Sequence, residues 1–200
     1  MTASNFSSSL IGWVAIATGV VGIFSLIFII LFFTVGQPFG TLNDICIGLT
    51  GIMSGVLAWM LYAEHHAQAP LMSQVTLGLA IIGALVVALG SILVIFGIKG
   101  WYLAGLYMSV GNALIGLWLL AMNYAVQQNN PWSHGLVVFG LIIGIIMALG
   151  LVAIPGIFQG IDSWESASWY INYIGLPGGI GYLILYPIWC ILLGRIILLK

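Results

Sequence analysis

Residues 168–200 read SWYINYIGLPGGIGYLILYPIWCILLGRIILLK. The run is long enough to cross a bilayer core, which takes roughly 20 apolar residues in a helix. Two prolines, Pro177 and Pro187, and the pair Gly178-Gly179 interrupt it. Each proline removes a backbone donor and each glycine adds backbone freedom, so the stretch predicts a short leading helix, an irregular turn at 177–179 and then the spanning helix. In hydrocarbon the groups freed at such a break must find partners inside the protein. Pro177, Gly178, Gly179 and Pro187 are therefore candidates for a gate or for a simple bend. Arg195 falls about one turn before the end of the run, where a long side chain reaches the headgroup region.

The rest of the chain has the same character. Of 200 residues, 62% are hydrophobic and 4% charged, with a mean hydropathy of +1.24. Soluble domains carry roughly 25% charged residues, so the class is all-α integral membrane. Apolar runs at 10–35, 45–63, 71–98, 101–126, 132–154 and 168–199 predict a six-transmembrane-helix bundle with a Pro/Gly-broken sixth helix, one domain over 1–200. The start, MTASNFSSSL, lacks the basic opening of a secretory signal, so the first helix is expected to be retained. Three Lys/Arg against four Asp/Glu leave no basic patch for nucleic acid. The expected partner is the lipid bilayer.

Short polar turns separate the runs. After Gln37-Pro38-Phe39-Gly40, Thr41 reads as a helix cap with Asp44 in the first turn. The longest connection is 155–167. Trp13, Trp59, Tyr62, Tyr124 and Trp132 fall toward the side of the termini, and Trp101, Tyr102, Trp164, Trp169 and Tyr170 toward the other, as interfacial belts would. Small residues recur at four-residue spacing: Ala15 and Gly19; Gly51 and Gly55; Ala80, Ala84 and Ala88; Gly105, Ser109 and Ala113; Gly140, Gly144 and Ala148. In lipid such stripes let backbones approach closely, either within the bundle or against a subunit partner or a second copy.

No Asp, Glu, Lys or Arg falls near the centre of a run, which argues against proton- or ion-coupled transport. Uncharged polar residues do occur at depth. Asn112, with Ser109 on the same run and Asn172 near the break, could line a cavity and contact a ligand, or could simply hydrogen-bond between helices. Glu64, His66 and His134 are the metal-competent cluster, but their spacing completes no ligand motif, and no metal or other cofactor is expected. Nucleophile elbows, phosphate loops and Cys-x-x-Cys pairs are missing, so the chain reads as non-enzymatic. Asp162 and Glu165 could share a cation or acid–base role, or solvate a loop and cap a helix. Cys46 and Cys190 fall at opposite ends of their runs and are expected to be free thiols.

The ending Tyr186-Pro187-Ile188-Trp189-Cys190-Ile191-Leu192-Leu193-Gly194-Arg195 resembles the last helix of uncharacterised bacterial multi-pass proteins that finish in a Pro-x-Trp…Leu-Gly-Arg run. Phe39-Gly40-Thr41-Leu42-Asn43-Asp44 is similar to the start of their second helix. The resemblance implies a bacterial six-span membrane protein, in the inner membrane, and carries no activity. Three readings follow from the residues: a membrane-complex subunit or binder of an apolar or neutral ligand, a facilitator or small transporter of a neutral solute, and a His-based metal or haem redox protein. Arg195 and Lys200 on the side of the termini, against Lys99 opposite, place the termini in the cytoplasm by the positive-inside rule. A fluorescent protein fused after Lys200 is expected to fluoresce while a phosphatase fused there stays inactive; the reverse result would invert the orientation.

Overall fold

The computed structural model describes residues 7–65, 70–127 and 132–199, with side chains placed for all of these except 64, 65 and 70–73. Among the described residues there is no strand, and six helical segments are long and apolar enough to cross a bilayer. The first four crossings are single helices: α1 (Ser8–Val35), α2 (Phe39–His65), α3 (Pro70–Ile95) and α4 (Trp101–Gln127). The fifth joins α5 (His134–Ala148), a 3-10 turn (Leu149–Ala153) and α6 (Ile154–Gln159). The sixth joins α7 (Trp169–Ile180), a π turn (Gly181–Leu185) and α8 (Tyr186–Leu198). Helices satisfy their own backbone groups, which is the condition for crossing hydrocarbon.

Each crossing packs against the next in sequence, and α8 returns to α1, so the six crossings form a closed ring. Apolar burial does not drive association in lipid, and the contacts rest instead on close backbone approach at small residues. A Cβ on Gly83 would lie 2.7 Å from the Gly111 carbonyl oxygen, and one on Gly144 2.8 Å from that of Gly116. At the closure between α1 and α8, a Cβ on Gly194 would lie 2.5 Å from the Gly12 carbonyl oxygen and one on Gly19 2.5 Å from that of Pro187. Between α2 and α3, Gly51 and Gly55 instead face side chains, where a Cβ would lie 2.7 Å from Val87 and 3.0 Å from Ala84. Several members of the small-residue stripes are thus engaged within the bundle.

The half of the ring nearest the termini is filled. Trp118 from α4, Tyr186 and Trp189 from α8, Leu57 and Leu61 from α2 and Ile11 from α1 are almost fully buried in one apolar cluster. Tyr182, Tyr186 and Trp189 stack along the sixth crossing, with ring centroids 6.0 and 6.2 Å apart. Trp132 meets Trp189 edge to face at 6.2 Å and is buried, so it belongs to this core and not to an interfacial belt.

Three boundaries differ from the sequence expectation. Residues 177–179 do not unwind: α7 runs through Pro177, and the departure from α geometry comes later, where the Tyr186 amide donates to the Gly181 carbonyl oxygen five residues back. A π turn just before Pro187 relieves the clash its ring would make with the preceding turn, so the helix changes register without opening into a loop. The fifth crossing likewise continues past Pro155 to Gln159, because the 3-10 turn puts that proline at the first turn of α6, where a missing N–H costs little. At the start of α2 the Leu42 amide already donates to the Pro38 carbonyl oxygen, and Gln37 accepts from both the Thr41 amide and its hydroxyl at 3.4 Å. Thr41 is therefore inside the helix, and Asp44 lies in its second turn.

Gly144→Ala is expected to destabilise the bundle by about 1–3 kcal/mol, because backbone atoms of Gly116 and Leu120 occupy the space the methyl needs. Gly78→Ala, which meets nothing within 4 Å, should be neutral or slightly stabilising. Unfolding in mild detergent, followed by circular dichroism, compares the two.

Candidate ligand-binding cavity

The half of the ring away from the termini holds a cavity of about 430 Å³. Its walls come from the end of α1, the start of α2, the end of α3, the start of α4, the 160–168 connection and the α7–π turn segment. The lining is mainly apolar with a few polar groups, the usual make-up of a small-molecule site. Phe33 and Trp101, 71% and 57% exposed, stand at the rim; Ile47, Leu106, Met108 and Tyr182 are buried in the wall.

Two glycines make room for this space. Gly105 and Gly179 line it, and a Cβ on either would meet nothing within 4 Å. Gly178, one residue earlier, does the opposite job: a Cβ there would lie 2.9 Å from the Gly150 amide nitrogen in the 3-10 turn, so this glycine holds the fifth and sixth crossings together. Of the four residues considered for a gate or bend, Gly179 faces the cavity, Gly178 packs, Pro177 sits inside α7 and Pro187 begins α8.

The polar groups differ in how fully they are partnered. The Tyr102 hydroxyl donates to Asn172 Oδ1 at 2.5 Å, and Asn172 Nδ2 donates to the Trp164 carbonyl oxygen at 3.1 Å. Asn172 therefore ties α4 to the 160–168 connection through both ends of its carboxamide. Tyr102, expected in a belt, is buried by this contact and packs edge to face with Trp164 at 6.3 Å. The Ser109 hydroxyl donates to the Gly150 carbonyl oxygen at 3.4 Å. Asn112, 8% exposed, also lines the cavity, and its Oδ1 is buried with no hydrogen-bond partner among the described residues. In an apolar setting an unpaired carbonyl oxygen costs on the order of 1–3 kcal/mol, so this atom marks a place where a donor is wanted.

Sequence reasoning passed over Asp44. It is only 9% exposed and lines the cavity five residues into α2. Beside it, Asn43 accepts the Ser25 hydroxyl at 2.8 Å and offers Nδ2 to Asp44 Oδ1 at 3.4 Å. The adjacent Asn-Asp pair in an otherwise apolar run was the available signal; reading it as a helix start hid its inward direction. Asp162 behaves differently. Its two carboxylate oxygens accept the Gly100 amide at 2.8 Å and the Leu103 amide at 2.9 Å, capping α4 from a loop 60 residues away. A side chain on Gly100 would collide with that carboxylate. Glu165 is exposed and shares none of these bonds, so the two acids are not brought to one site.

Of the metal-competent cluster, Glu64 and His66 lie outside the described residues, while His134 is the exposed first residue of α5. Among the described residues no three His, Cys, Asp or Glu side chains gather to hold a metal ion. Cys46 and Cys190 are both free.

Asp162→Ala leaves two amides at the start of α4 without their acceptor and is expected to cost about 0.5–2 kcal/mol. Faster hydrogen exchange at Gly100 and Leu103, with the rest of α4 unchanged, is the expected signature. Comparison with known proteins finds no family model, no curated protein and no solved structure that matches this chain.

Proposed function

We propose that this chain is a non-enzymatic membrane protein that binds a small, largely apolar molecule in the cavity between its crossings, in the inner membrane of a bacterium with its termini in the cytoplasm. The observation that carries the reading is the juxtaposition at the cavity of an unpartnered buried carboxamide, Asn112, with two glycines, Gly105 and Gly179, whose absent side chains leave the space open. A bundle packed only for stability gains dispersion contacts by filling such a volume, so a sequence that keeps it clear points to an occupant. The 430 Å³ lies within the range of small-ligand pockets.

A facilitator of a neutral solute is the second reading, favoured by the π turn in the sixth crossing directly beside the cavity, since single π turns recur at functional sites in helices. Against it stands the buried plug of Trp118, Tyr186 and Trp189 in the other half of the ring, which any continuous path has to displace.

In nanodiscs, 1-naphthalenemethanol is expected to bind the wild type above the background of protein-free discs, and Gly105→Leu, which projects into the cavity, should weaken that binding at least tenfold without lowering the unfolding temperature. Equal binding by the variant would remove the cavity from the reading. Flux of a neutral solute through proteoliposomes above lipid background would favour the facilitator.

A further inference from the structure

The cavity wall carries an acidic acceptor that the protein itself barely satisfies. The hydroxyls of Tyr102 and Ser109 and the carboxamide nitrogens of Asn43 and Asn172 each donate to an acceptor within the protein. The Tyr182 hydroxyl does the same, to the Ile47 carbonyl oxygen at 3.1 Å. The acceptors are in the opposite state. Asn112 is the one carboxamide of the three in the wall whose oxygen has no donor. Among the described residues Asp44 takes one long hydrogen bond, 3.4 Å from Asn43, and no Lys, Arg or His lines the cavity with it.

A buried carboxylate without an opposite charge is expensive in a low-dielectric setting, and such a group inside a bilayer protein marks a functional site. Around the same space stand Phe33, Trp101, Tyr102 and Trp164, whose ring faces attract cations. An ammonium carries three donors, no acceptor and the charge opposite to that of Asp44, which suits an under-used carboxylate beside aromatic rings.

We infer that the ligand of this cavity is an apolar molecule bearing one protonated amine, with the ammonium held by Asp44 and the apolar body among the aliphatic and aromatic walls. This deepens the binding reading above and rests on it. A neutral alcohol of the same shape has one donor and no charge, and a carboxylate brings repulsion from Asp44 in place of attraction. Asp44 is the specificity-determining residue.

The test compares three probes on one ring system, 1-naphthylmethylamine, 1-naphthalenemethanol and 1-naphthoate, by equilibrium dialysis against nanodiscs holding the full chain, with protein-free discs subtracted. The wild type is expected to bind the amine at least tenfold more tightly than the alcohol, and the carboxylate most weakly. Asp44→Asn, which keeps shape and removes charge, should bring the amine down to the level of the alcohol; Asp44→Glu should keep much of the preference. Because the ranking of probes on the wild type needs no variant, poor folding of either substitution leaves the inference open to refutation. Equal binding of all three probes, with loss of all three in Gly105→Leu, would sink the amine assignment and keep the binding function. An amine preference that survives Asp44→Asn would sink the role of Asp44. Binding of none of the three above protein-free discs would overturn both readings.

Discussion

The structure depends on helix backbones touching. In hydrocarbon, side-chain burial supplies little net attraction between helices, so each interface must gain through dispersion and close approach. Glycine supplies that approach at Gly83 with Gly111, at Gly116 with Gly144, at Gly150 with Gly178 and at Gly12 with Gly194. These pairs lie at successive interfaces, and the last closes the ring by bringing α8 onto α1. An added methyl at any of them meets backbone, which cannot step aside as a side-chain tip can.

A ring of six crossings encloses more volume than glycine-lined seams can fill. Large aromatic side chains fill one half, where Trp118, Tyr186 and Trp189 are almost fully buried. In the other half the corresponding positions are small, Gly105 and Gly179, and the volume stays open. The same residue type thus does two jobs. Where a neighbouring backbone lies within about 3 Å a glycine makes a seam, and at Gly105 and Gly179, which line the cavity and meet nothing within 4 Å, it makes a space. The mouth is held in place by polar contacts that ordinary belts do not make: Asp162 caps α4, and Asn172 bridges Tyr102 and Trp164. Charge-assisted and two-ended bonds of this kind give a connection between crossings a defined position over the cavity.

The two non-α turns arise for a related reason. The fifth crossing tightens into a 3-10 turn at Leu149–Ala153 and the sixth loosens into a π turn at Gly181–Leu185. Pro155 follows the first and Pro187 the second, so each proline enters a new helical segment in its first turn. Register changes accommodate the rings while the backbone stays bonded to itself, which hydrocarbon demands.

The class of the protein and the number of its crossings followed from residue composition and run length, because the solubility of each segment is a property of that segment alone. The prominence of Asn112 was legible for the same reason: a carboxamide in the middle of an apolar run stands out without neighbours. Tertiary packing decided everything that depends on direction. A helix places consecutive residues about 100° apart, so whether Asp44 meets water or a cavity, whether Tyr102 joins a belt or bonds Asn172, and whether Gly178 and Gly179 pack or open depend on rotation against neighbours the sequence does not name. The break at Pro177 was misplaced because local propensity favours unwinding there, whereas the surrounding helices reward an unbroken backbone and move the distortion to the next place where a proline requires it.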